Sequence, residues 1–127
     1  MSKQQASRPL SPHLQVYKPQ ITSVSSILHR ITGLLLSAFS LLWVSWLLAV
    51  YSSATTYDSF RQLLQSWPGK LLLLLAGWAL FYHLMTGIRH MIWDSVHMLE
   101  LDSAKRSGWV IVIGSLLLTG LAAGIWL

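Results

Sequence analysis

The chain has 127 residues, enough for one domain. It is 54% hydrophobic and only 10% charged, which excludes an ordinary soluble domain, where roughly a quarter of residues are charged. The net charge of +5 therefore does not point to nucleic acid but to cations in the loops of a membrane protein, and the absence of cysteine excludes disulfides, covalent haem attachment and a cysteine-ligated iron–sulfur cluster in this chain.

The N-terminal stretch MSKQQASRPLSPHLQVYKPQ is polar, has no apolar core with a cleavage site and carries a single arginine. It reads as part of the mature protein rather than a signal or transit peptide. Residues 1–26 are expected to form a cytoplasmic N-terminal segment, and residues 27–127 a membrane anchor domain.

A spanning helix needs about 20 apolar residues, and three segments qualify. The first covers about 27–50, ILHRITGLLLSAFSLLWVSWLLAV, with TSVSS ahead of it suited to capping. Its entry, SSILHRITG, places Ser26, His29, Arg30 and Gly33 on one face, at i, i+3, i+4 and i+7. A hydroxyl, an imidazole and a guanidinium thus converge at the membrane boundary. They have the chemistry to hold a polar carbonyl headgroup on a greasy tail, or an acidic propionate. They equally suit a serine-capped helix end with basic lipid anchors.

The second span covers about 69–93, with Trp67 at its outer edge and Pro68 near its first turn. It ends in HLMTGIRHMIWD, residues 83–94. Ionisable groups are costly in hydrocarbon and mark candidate sites. His83 and His90 are nearly two turns apart on one face, about 10 Å along the axis, with Gly87 between them. A missing side chain beside a histidine leaves room for something flat. The pattern suits haem: His83 as axial iron ligand, Gly87 admitting the porphyrin, and Arg89 or His90 near a propionate. A histidine that only hydrogen-bonds across helices, with Arg89 and His90 snorkelling, satisfies the same spacing. His97 falls in a loop and reads as solvated.

His83 lies about 15 Å from the inner end of its helix. His29 is expected near the surface and His13 in the tail, so no histidine of this chain matches His83 in depth. If a haem here is six-coordinate, its second axial ligand must come from another polypeptide.

The third span covers about 108–127. Its GLAAG, Gly120 to Gly124, permits close helix packing, and ordinary packing within the bundle explains it. Of the nine Lys and Arg residues, Lys3, Arg8, Lys18, Arg30, Arg89, Lys105 and Arg106 flank one side, and only Arg61 and Lys70 the other. This bias puts the N-terminus and the second loop in the cytoplasm. Trp93 and Trp109 then mark the inner boundary, and Tyr51, Trp67 and Trp126 the outer one. The fold class is an all-α membrane protein with three transmembrane helices.

Two stretches, RPLSPHLQVYKPQITSVSSILHRITG and HLMTGIRHMIWD, resemble the signature regions of the cytochrome b subunits of succinate dehydrogenase, the larger membrane anchor of respiratory complex II. Arg8-Pro9, Ser26, His29, Arg30 and Thr32 fill the first pattern; His83, Gly87, Arg89, His90, Trp93 and Asp94 fill the second. The resemblance implies a haem-binding bundle completed by a second small anchor subunit, with one haem b shared between the chains and His83 as one axial ligand. It implies a flavoprotein and an iron–sulfur subunit docked on the cytoplasmic face, and electron transfer from the iron–sulfur centres to ubiquinone. Ser26 and Arg30 would line the quinone site; His29, Arg89 and His90 would lie near the haem propionates or in the polar wall of that site. The expected location is the bacterial cytoplasmic membrane. Asp94 has no assigned role. The rival readings are the anchor of a fumarate reductase running in reverse, a non-redox membrane scaffold, and a stand-alone cytochrome needing a second deep histidine.

Overall fold

The computed structural model describes residues 18–126, Trp126 by its backbone alone. Lys3, Arg8, Pro9, His13 and the Trp126 side chain, all used in the sequence reading, lie outside the described residues. Four helices follow in order: α1 (Ile21–Ser52), α2 (Ala54–Gln65), α3 (Trp67–Asp94) and α4 (Leu101–Trp126). Three of them, α1, α3 and α4, are long and apolar enough to cross a membrane, and the chain is a multi-pass membrane protein.

The long helices outrun the expected spans. At about 1.5 Å per residue, α1 with 32 residues is about 48 Å long, well beyond the roughly 30 Å hydrocarbon core. It starts six residues early because Gln20 and Ser23 form a reciprocal cap: the Gln20 backbone N–H donates to Ser23 Oγ at 3.2 Å. The TSVSS stretch, expected ahead of the helix, lies inside its first turns. The start of α4 likewise extends to Leu101, with Asp102 in the first turn, where a carboxylate complements the helix dipole.

The short helix α2 was not expected. At 12 residues it is too short for a span, and it is amphipathic: Tyr57, Phe60 and Leu64 form its half-buried stripe. Ser53 caps it by accepting the Thr56 N–H at 3.1 Å. Its end abuts the start of α3, which Ser66 caps and Pro68 enters at the first turn. A Cβ on Gly69 would collide with the carbonyl oxygens of Leu63 and Leu64, so only glycine permits this junction.

The three long helices run up, down and up. Ser25 near the start of α1 meets Arg89 near the end of α3, and Gly108 near the start of α4 lies against both Ile21 and Arg89. Burial inverts the soluble pattern. The largest fully buried side chains are Tyr82, Thr32, Thr86, Ser25 and Ser115, whereas Leu34, Leu41 and Leu48, one heptad apart on α1, are exposed. Small hydroxylated residues let helices approach closely where lipid, not water, surrounds them, and the exposed leucines suit that solvent.

Candidate functional site

The site lies where α1 enters and α3 leaves the bundle. Its centre is His83, half-buried on α3. His83 Nδ1 is 3.1 Å from the backbone carbonyl oxygen of His29 and 3.3 Å from Thr32 Oγ1. A carbonyl can only accept, so the proton is on Nδ1. Nε2 then carries the lone pair, and no described residue hydrogen-bonds it. This is the tautomer in which an imidazole ligates a metal through Nε2 while Nδ1–H is held by a carbonyl.

His29 packs its ring on His83, with centroids 4.0 Å apart and planes at 13°. His90 tilts against His29 at 5.0 Å, and Trp93 meets His90 edge-on at 5.3 Å. The expectation that His29 lies far shallower than His83 is thereby corrected. Because α1 begins at Ile21, His29 sits in its third turn rather than in its first or second. Two rings stacked face to face still cannot ligate opposite sides of one iron. Among the described residues, His29 is thus set aside as a partner ligand by ring geometry rather than by depth.

Gly87, one turn beyond His83, has open space where a Cβ would be. Gly33, across on α1, does not: a Cβ there would lie 3.0 Å from His83 Cε1. The two glycines thus differ. Gly33 lets α1 reach the imidazole, and Gly87 leaves a gap on the exposed side.

Arg89 is 4% exposed, on the bundle side of α3. Its Nη2 donates to Ser25 Oγ at 2.8 Å, and its guanidinium lies 4.6 Å from the Trp93 ring centre. Its Nε and Nη1, and His29 Nδ1, are buried without a hydrogen-bond partner among the described residues. Buried donors without partners cost about 1–3 kcal/mol each, more when charged, and mark places where an anion or polar group is accommodated.

Ser26 is half-buried and Arg30 exposed, one turn apart on the flank of α1 beside the histidines. They reach no other predicted site residue through a described hydrogen bond. Asp94 and His97 are exposed at the end of α3 and in the following loop, where His97 Nδ1 lies 2.6 Å from the Ser95 carbonyl oxygen.

Sequence reasoning passed over Ser25 and gave Thr32 no contact. The signal was present: Ser25, His29 and Thr32 stand at i, i+4 and i+7, on the face of α1 that meets α3. Tyr82 reinforces it, its hydroxyl donating to the Ser25 carbonyl at 3.4 Å. Among the described residues no group of three or more His, Asp or Glu side chains forms a metal-ligand set. A cavity of about 530 Å³ opens at the other end of the bundle, lined in part by Trp46, Tyr57, Arg61 and Lys70, and holds none of the histidines.

Residues 4–122 match the family model described as succinate dehydrogenase/fumarate reductase transmembrane subunit. Several curated proteins are similar over most of the chain. The succinate dehydrogenase cytochrome b556 subunit of Paracoccus denitrificans is 40% identical over 111 residues, 87% of this chain and 85% of that protein. That of Rickettsia conorii is 42% identical over 113 residues, 88% of this chain and 87% of that protein. The mitochondrial succinate dehydrogenase cytochrome B subunit of Schizosaccharomyces pombe is 36% identical over 128 residues, 94% of this chain and 69% of that protein.

Proposed function

The chain belongs to the succinate dehydrogenase/fumarate reductase transmembrane subunit family, and from that premise we propose that it anchors a succinate:quinone oxidoreductase, binds haem b through His83 and helps bind ubiquinone through Ser26 and Arg30. The relatives' names, succinate dehydrogenase cytochrome b, favour succinate oxidation over fumarate reduction. The observation that carries the haem assignment is the His83 tautomer: Nδ1–H on the His29 carbonyl, Nε2 with its lone pair. Gly87 adds the gap a flat macrocycle needs. His29 Nδ1 and the buried Arg89 donors fit the acidic propionates or another polar group at this end of the bundle. His90 lies beside them against His29.

If the iron takes a second protein ligand, a second small anchor subunit would supply it, because His29 is stacked on His83. The iron–sulfur subunit and the flavoprotein dock at the end carrying His29 and Arg89. That end faces the cytoplasm of a bacterium, by the bias of lysine and arginine.

Haem, when bound by His83, would supply a one-electron redox centre. The residues of this chain do the rest. Arg30 stabilises negative charge on a quinone carbonyl oxygen as electrons arrive. Ser26, one turn away, donates a hydrogen bond to the same headgroup or accepts one from it. Both sit at the mouth of α1, so the isoprenoid tail stays in lipid while the headgroup meets water-borne protons.

A reduced-minus-oxidised visible spectrum of the purified complex tests the reading. A b-type signal in the wild type that is lost or altered in His83→Ala supports it. A normal signal in both moves the ligand to other chains.

A further inference from the structure

The His83 ring hangs from α3, yet its contacts come mostly from α1. One turn of that helix, His29 to Gly33, meets it on three sides. The His29 ring covers one face at 4.0 Å. Gly33 passes close to the Cε1 edge, at a distance that leaves no comfortable room for a methyl group. The Nδ1 edge faces two acceptors, the His29 carbonyl at 3.1 Å and Thr32 Oγ1 at 3.3 Å.

Thr32 is fully buried, and its hydroxyl is oriented by its own helix. Oγ1 lies 2.9 Å from the carbonyl oxygens of both Leu28 and His29. Its single proton goes to one of these carbonyls, which turns a lone pair toward the shared Nδ1–H. The threonine is therefore an acceptor for His83 and, through the His29 carbonyl, a neighbour of its other acceptor. A valine would match its shape and remove the Oγ1 acceptor while leaving the His29 carbonyl in place.

We infer that Thr32 is a positioning residue for the iron ligand: with the His29 carbonyl it fixes the tautomer and rotation of His83 and raises the basicity of Nε2. This rests on the proposed haem ligation and adds a role for a side chain that touches neither iron nor quinone. Partners of this outer kind orient a ligating imidazole and strengthen its donation to the metal. A more strongly donating imidazole stabilises the ferric state. Removing the hydroxyl weakens donation and raises the haem midpoint potential.

The test is a visible redox titration of the intact purified complex carrying wild type, Thr32→Val, Thr32→Ala or Thr32→Ser. The expected result is an upward shift of the b-type midpoint in the valine and alanine variants and a near-normal midpoint in the serine variant, which keeps the hydroxyl. Haem-loaded valine and alanine variants with wild-type midpoints overturn the inference. So does a serine variant that shifts as far as valine, because shape rather than the hydroxyl then matters. Failure of both the valine and alanine complexes to assemble makes Thr32 a packing residue, and that also overturns it. A wild-type complex with no b-type signal refutes the haem reading itself, a separate outcome.

Discussion

The Arg89 guanidinium donates to the Ser25 hydroxyl at 2.8 Å, joining the last turns of α3 to the first turns of α1 inside a buried, polar contact. Ser25 is fully buried and itself donates to the Thr22 carbonyl at 3.0 Å. This one serine oxygen is the described hydrogen-bond acceptor of an arginine whose Nε and Nη1 have no partner among the described residues. The contact therefore carries more than its own hydrogen-bond energy: without it the buried guanidinium keeps only its contact with the Trp93 ring among the described residues. Ser25→Ala is expected to destabilise the assembled complex by about 1–3 kcal/mol, the cost of leaving such a donor unsatisfied. Thermal unfolding of the complex checks it. Removing both groups in Ser25→Ala with Arg89→Met should cost less than the sum of the single changes.

Gly87 and Gly69 give opposite expectations for the same substitution. A Cβ at Gly87 meets open space, so Gly87→Ala should leave assembly intact, and alanine even favours the helix by about 1 kcal/mol. If the gap receives a porphyrin, the same change lowers haem content. Pyridine haemochrome quantification against subunit yield separates the two effects. Gly69→Ala forces the methyl into backbone oxygens, and the α2–α3 junction must shift. Complex yield should fall sharply.

Arg30→Ala should cost about 10²–10³-fold in ubiquinone reduction, the range for losing one donor to a developing oxyanion. Succinate oxidation measured with an artificial soluble acceptor should persist, because the proposed function leaves that chemistry to another subunit. Unchanged ubiquinone reduction would remove Arg30 from the quinone site.

The loop after α3 holds Val96 at φ 63° and Met98 at φ 59°, both left-handed, with Trp93 Nε1 donating to the Met98 carbonyl at 3.1 Å. A β-branched residue in that region costs about 1–2 kcal/mol, which glycine avoids. Val96 is 76% exposed in this chain. Val96→Gly is therefore expected to stabilise the isolated loop. Weaker retention of the soluble subunits in the variant, measured by co-purification, would instead show that the valine side chain is an interface contact in the complex.

The sequence alone determined the membrane class, the three spans and the His83–Gly87 spacing. Hydropathy is a sum over neighbours in the chain, and helical periodicity converts spacing directly into a shared face. It also exposed the pattern of both motifs, so the family could be named from residues. What it left open depends on contacts between residues more than fifty positions apart. Adjacent serines look alike in a string, yet Ser25 points to Arg89 while Ser26 lies on the flank, because the rotation of α1 is set by its packing on α3 and α4. The His83 tautomer follows from a carbonyl on another helix. The His29 stack follows from the packing of α1 on α3, which brings residue 29 level with residue 83. Spacing within one helix fixes a face; only packing between helices decides what that face meets.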